Sequence, residues 1–169
     1  MKTNHLLLLP ILWLLGTLPA AAQEARLTEA RLTNVPTQTT SRTPVAEGPA
    51  VFGVFDGRFP CAEIHKDWKQ PARPDCVKMK WRLTLYHDPA TQQPTIYRLN
   101  RSVREGTWAL VRGIPTDPEA VVIQLDSDRP DVSVYLLKGD DNVLFVLDQQ
   151  RNFRVGDYYL SYTLNRVTN

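Results

Sequence analysis

From Val51 onward the chain is a series of short segments in which apolar and polar residues alternate, separated by turn-forming residues. Met79, Trp81, Leu83 and Leu85 alternate with Lys78, Lys80, Arg82, Thr84 and Tyr86, the period of two that sends one face of a strand into a core. Similar patterns cover 50–56, 94–101, 106–112, 120–126, 131–138, 143–148 and 157–166. Trp108 and Leu110 share a face in one of them, and Tyr158, Leu160, Tyr162 and Leu164 share a face in the last. The connectors are short and turn-rich: DPATQQP, SDRP, and GDDN over Gly139 to Asn142,. Parallel strands need crossovers of roughly a dozen residues or more, and no helix pattern of useful length lies between these strands. An antiparallel meander follows. Eight strands with one apolar face each close into a small up-and-down, lipocalin-like barrel, all-β, which also removes exposed edges. A two-sheet sandwich is the alternative the same pattern allows.

The residues before this region read differently. Lys2 and the apolar run from Leu6 to Leu18, followed by Ala20-Ala21-Ala22, predict a cleaved signal peptide over 1–22,. The run is shorter than the roughly 20 residues of a spanning helix, and no cysteine follows it to receive a lipid. Residues 23–49 are rich in Thr, Ala, Arg and Pro with few large apolar side chains, which predicts a flexible lead. One domain over 50–169 remains, of ordinary size. With Lys2 removed, 19 basic residues face 18 acidic ones. That balance, with no basic stripe, argues against nucleic acid as a partner.

Cys61 and Cys76 are the two cysteines of the chain. In an exported protein they predict a disulfide, closing a loop whose constraint on the unfolded chain is worth about 3 kcal/mol. As thiolates they would instead bind a soft metal such as Cu(I), with His65 and Met79 as further ligands. A redox enzyme would place its cysteines as C-x-x-C at a helix start, and the sequence indicates neither the spacing nor the helix. No G-x-S-x-G, H-E-x-x-H or glycine-rich phosphate loop occurs,, and the aspartates fall at turns, where their backbone chemistry places them. No enzyme is indicated. Trp81, Trp108, Tyr135, Phe145, Tyr158 and Tyr162 lie on apolar strand faces, where they either fill the barrel or, as Trp81 and Trp108 would, line a pocket for a small apolar ligand. Trp68 sits in the polar stretch HKDWKQ, as a contact for a partner or as a flap over the barrel mouth.

Three short motifs carry a resemblance: Gly57-Arg58-Phe59-Pro60-Cys61-Ala62 at the opening, Gly106-Thr107-Trp108 at the centre, and Val146-Leu147-Asp148 with 158–164 at the close. In this order, over 51–166, the chain resembles the N-terminal domain of the copper-resistance lipoprotein NlpE and its relatives. Two features depart from that family. Its cysteines form C-x-x-C, whereas here residues 62–75 intervene as an inserted loop, and its lipidated N-terminal cysteine is missing. The resemblance implies a small lipocalin-like barrel in the bacterial envelope, linked to copper tolerance and surface-stress signalling. No cofactor is expected, and copper is the candidate should one bind. The combined expectation is a monomeric, non-enzymatic, periplasmic or secreted barrel that does not span the membrane. Its partner would be an envelope protein, or a small apolar ligand if the barrel is a carrier.

Overall fold

The computed structural model describes residues 36–67, 71, 74–100 and 103–169. The expected signal peptide over 1–22, the first part of the expected lead and Trp68 lie outside the described residues.

The strands are β1 (Thr37–Gln38), β2 (Val51–Pro60), β3 (Lys78–His87), β4 (Pro94–Leu99), β5 (Arg104–Ile114), β6 (Asp117–Leu125), β7 (Val134–Lys138), β8 (Val143–Val146) and β9 (Thr163–Thr168). A helix α1 (Cys61–Asp67) follows β2, and a 3-10 turn (Pro130–Val132) precedes β7. Each strand from β2 to β8 pairs antiparallel with the next, and β9 pairs antiparallel with both β8 and β2. The ring is therefore a closed eight-stranded antiparallel barrel, not a sandwich, with β1 added in parallel to the end of β9. Closure pairs β9 with both β8 and β2, which removes the two open edges that an unclosed sheet of β2 to β9 would present,.

Alternation places Phe55 and Phe59 of β2, Trp81, Leu83 and Leu85 of β3, Tyr97 and Leu99 of β4, and Ile123 and Leu125 of β6 in one buried cluster. Leu136, Leu144, Val146, Tyr162 and Leu164 complete it from the other side of the ring. Each of these large side chains contributes roughly 1.5–3 kcal/mol on full burial, so the filled interior is the main source of stability.

Several sequence expectations need correction. The last strand begins at Thr163 rather than 157, and Tyr158 is fully out in solvent. Tyr162 and Leu164 do reach the core, but Asp157 turns the chain: its Oδ1 accepts the backbone N–H groups of Tyr159 and Leu160, both at 2.8 Å. β2 runs on to Pro60 and leads into a helix of seven residues that begins at Cys61, where the sequence indicated no helix start. Leu110 follows Trp108 in alternation, yet it is half exposed. Tyr135 and Phe145 lie on the outer surface, under Arg151 and against Phe153 respectively.

The lead is the largest difference. Residues 36–49 form a strap on the outer faces of β2, β3 and β9, with Val45, Val54 and Val167 making a second small core. Val45 N–H donates to Asn169 Oδ1 at 2.8 Å. The strap is fixed by Arg82, whose guanidinium donates to both carboxylate oxygens of Asp56 (2.7 and 2.6 Å), to Thr43 O and to Thr39 Oγ1 (both 2.8 Å). Low hydrophobicity predicts disorder when a segment must bury its own core. Here the strap borrows one from the barrel.

At the end of the barrel that holds the 88–93 and 139–142 turns, Arg166 points inward. Its guanidinium lies 4.8 Å over the Phe55 ring and donates to Phe52 O (2.9 Å) and Asp141 O (2.6 Å). A Cβ on Gly53 would come within 2.4 Å of Arg166 Nη1, so glycine there makes room for the plug. Burial pushes the Arg166 guanidinium below its ordinary pKa. Trp108 closes the same end, with Phe52 5.2 Å away and its Nε1–H donating to Tyr86 O at 2.6 Å.

Candidate functional site

The opposite end carries the longer connections: α1 and the loop after it, the segment 126–133, and the segment 147–162. Helix α1 is too short to be stable alone. Its sequence CAEIHKD supplies a helix-compatible Ala, an acidic Glu63 in the first turn and Lys66 in the last, which suits the helix dipole. Tertiary contacts hold it: Ile64 is buried in the core, and Cys61 is disulfide-bonded to Cys76 with Cα atoms 5.9 Å apart. Asp67 pairs with Arg154, both largely buried, and Arg154 also donates from Nε to Leu147 O at 3.0 Å. The helix thus lids the barrel and ties it to the 147–162 segment.

A second knot lies beside the lid. Asp126 is wholly buried, with a left-handed backbone (φ 53°). Its carboxylate accepts Tyr97 Oη–H at 2.7 Å and Arg104 Nε–H at 2.9 Å, and is also bound by the terminal nitrogens of Arg104 and Arg129. Arg104 continues to Val132 O at 2.6 Å, and Ser133 Oγ–H donates to Asp126 O at 2.9 Å. A buried carboxylate is tolerated only when paired and hydrogen-bonded, and this one is saturated by donors. Burial, reinforced by the Asp126 carboxylate, raises the Tyr97 phenol well above its ordinary 10.0. Gly106 is required here: a Cβ would lie 2.3 Å from Asp126 Oδ1. The Gly106-Thr107-Trp108 motif therefore serves both ends of the barrel. Gly106 leaves space for the Asp126 knot, and Trp108 fills the far end.

The 147–162 segment presents the most exposed apolar surface of this end. Val155 is 92% exposed, Tyr158 92% and Tyr159 87%. The two tyrosine rings meet edge to face at 4.8 Å. They are not on a loose tip. Asp157 N–H donates to Leu160 O at 2.9 Å while the Asp157 side chain caps the turn. Upstream, Asp148 Oδ1 accepts Gln150 and Asn152 N–H, both at 2.8 Å, and Leu147 bridges Phe153.

Cys61 and Cys76 are joined, so neither sulfur is a thiolate available to a soft metal in this state,. His65 is buried, with its Nδ1 lacking a hydrogen-bond partner among the described residues, and Met79 packs against the core. No group of three or more His, Cys, Asp or Glu side chains suited to a metal occurs among the described residues. Trp81 and Trp108 are core residues, each 3% exposed, so neither offers a contact face of its own. No helix among the described residues is long and apolar enough to cross a membrane.

Sequence reasoning missed the rim residues Val155 and Tyr159 and assigned Tyr158 to a strand face. The signal was present in Gly156-Asp157, a turn pair that interrupts the alternation. No protein-family model, curated protein or solved structure matches this chain.

Proposed function

We propose that this chain is a non-enzymatic binding and sensing barrel of the bacterial envelope, of the NlpE-like type, which meets a protein partner through the rim built by Val155, Tyr158 and Tyr159. The observation that carries this reading is the combination of near-complete exposure and a fixed turn at the two tyrosines. Tyrosines are enriched where proteins meet, and a rim ordered beforehand by Asp157 loses less entropy on binding. The carrier alternative needs interior room, but side chains from the barrel strands occupy the interior as one cluster. Copper tolerance and stress signalling enter from the resemblance of 57–62, 106–108 and 146–148 with 158–164, and they define the phenotype to assay.

The test is complementation in cells lacking the protein, scored by survival in copper and by an envelope-stress reporter. Wild type should restore the phenotype, and Tyr158→Ser/Tyr159→Ser should not, although both proteins accumulate equally with the same melting temperature. Full rescue by the double variant would sink the rim as the working surface.

A further inference from the structure

A groove of about 640 Å³ runs along the outer face of the barrel between the strap and strands β2, β3 and β9. Its volume falls in the range of small-molecule sites, roughly 300–1,000 Å³. One wall is the strap, which contributes the polar side chains of residues 37–41. The floor includes Asp56, Arg58, Lys80, Arg82 and Asn100. This surface lies on the side of the barrel and includes none of the rim residues Val155, Tyr158 and Tyr159.

The charges in the groove are unbalanced in a specific way. Arg58 and Lys80 are direct cross-strand partners in the β2–β3 register, and both are exposed. Like charges placed opposite each other destabilise a sheet, so a chain under selection for stability alone would place an acid at one of the two positions. The acid on this floor, Asp56, is already engaged on both oxygens by Arg82. Among the described residues, neither Arg58 nor Lys80 has an ion-pair partner. Around these two cations the polar part of the lining is hydroxyl and amide, from Thr37, Gln38, Thr40, Ser41 and Asn165, beside apolar surface that includes Trp81 and Val167. Hydroxyls and amides both donate and accept, and a guanidinium binds phosphate or carboxylate oxygens in a forked geometry.

We propose that this groove is a binding site for a phosphorylated saccharide, with Arg58 and Lys80 on the phosphate and the hydroxyl and amide side chains on the sugar. The anion relieves the repulsion between the two cations, and the Arg82–Asp56 pair holds the strap wall in place without competing for it. The ligand is read by charge first and by hydroxyls second.

The experiment is a set of 15N-resolved NMR titrations of the full mature protein at low salt with glucose 6-phosphate, inorganic phosphate and glucose. Glucose 6-phosphate should shift the amides of residues 37–41, 58 and 80 saturably, more tightly than inorganic phosphate, and glucose should bind weakest. Arg58→Ala/Lys80→Ala should weaken glucose 6-phosphate at least tenfold while its melting temperature stays level or rises, because the repulsive pair is gone. Equal affinity for inorganic phosphate overturns the saccharide assignment. Absence of saturable shifts, or unchanged affinity in the double variant, overturns the site.

Discussion

Asp56 on β2 and Arg82 on β3 face each other across the sheet on the outside of the barrel, and their two-pronged ion pair is what the strap is built on. The same guanidinium reaches Thr39 and Thr43, so one side chain joins two strands to a segment from outside the ring. Arg82→Ala should release residues 37–43 without opening the barrel. Hydrogen exchange of the strap amides should accelerate selectively, with a global loss of about 1–3 kcal/mol, the scale for charged hydrogen bonds and for a partner group left unsatisfied. Uniform acceleration across the core would show that the pair supports the barrel itself.

Gly106→Ala should be costly despite its small size. The new methyl would overlap the Asp126 carboxylate, and overpacking of a rigid site costs about 1–3 kcal/mol. Chemical denaturation would read this directly. A loss below half a kcal/mol would mean that the Asp126 knot can shift.

Reduction of the Cys61–Cys76 bond should lower stability by about 3 kcal/mol, the constraint expected for a loop of this length. The barrel strands pair independently of the bond, so reduced protein should keep its far-UV signal and unfold at lower denaturant. Intact mass after alkylation without reductant should show no free thiol.

Tyr97 gives a pH prediction. Its folded-state pKa is raised above the ordinary 10.0 by burial and by the nearby carboxylate. Below that ordinary value both folded and unfolded chains hold the proton, and its contribution is fully present. Above about pH 10 the unfolded chain releases the proton while the folded chain resists, so stability must fall as pH rises. Tyr97→Phe should flatten that alkaline decline, with a loss of about 1 kcal/mol at neutral pH from the missing hydrogen bond. An identical alkaline slope in the variant would assign the decline to other groups.

The barrel was legible because strand alternation is a local signal: residues 78–86 declare their inner and outer faces one by one, and short turns leave only antiparallel pairing. Three features were not legible, each for a physical reason. Helix α1 has seven residues, too few to display a helical period, and its stability comes from Ile64 and the disulfide. Tyr158 and Leu160 continue the alternation of Tyr162 and Leu164, so the strand pattern alone extends across a turn that only the Asp157 cap creates. The strap is polar and its partners, Asp56 and Arg82, are distant in sequence, so nothing local marks it as ordered. The Asp126 knot has the same character. Its acid reads as one of many turn aspartates until folding brings Tyr97, Arg104 and Arg129 around it.

Photo-crosslinking in the native host tests the proposed rim most directly. A photoreactive amino acid placed at Tyr159 is compared with one at Glu119, an exposed position near the opposite end of the barrel. One discrete adduct to an envelope protein is expected from position 159, absent from 119 and lost when Tyr158→Ser and Val155→Ser are added. No adduct at 159, or the same adducts at both positions, would contradict a partner-binding rim.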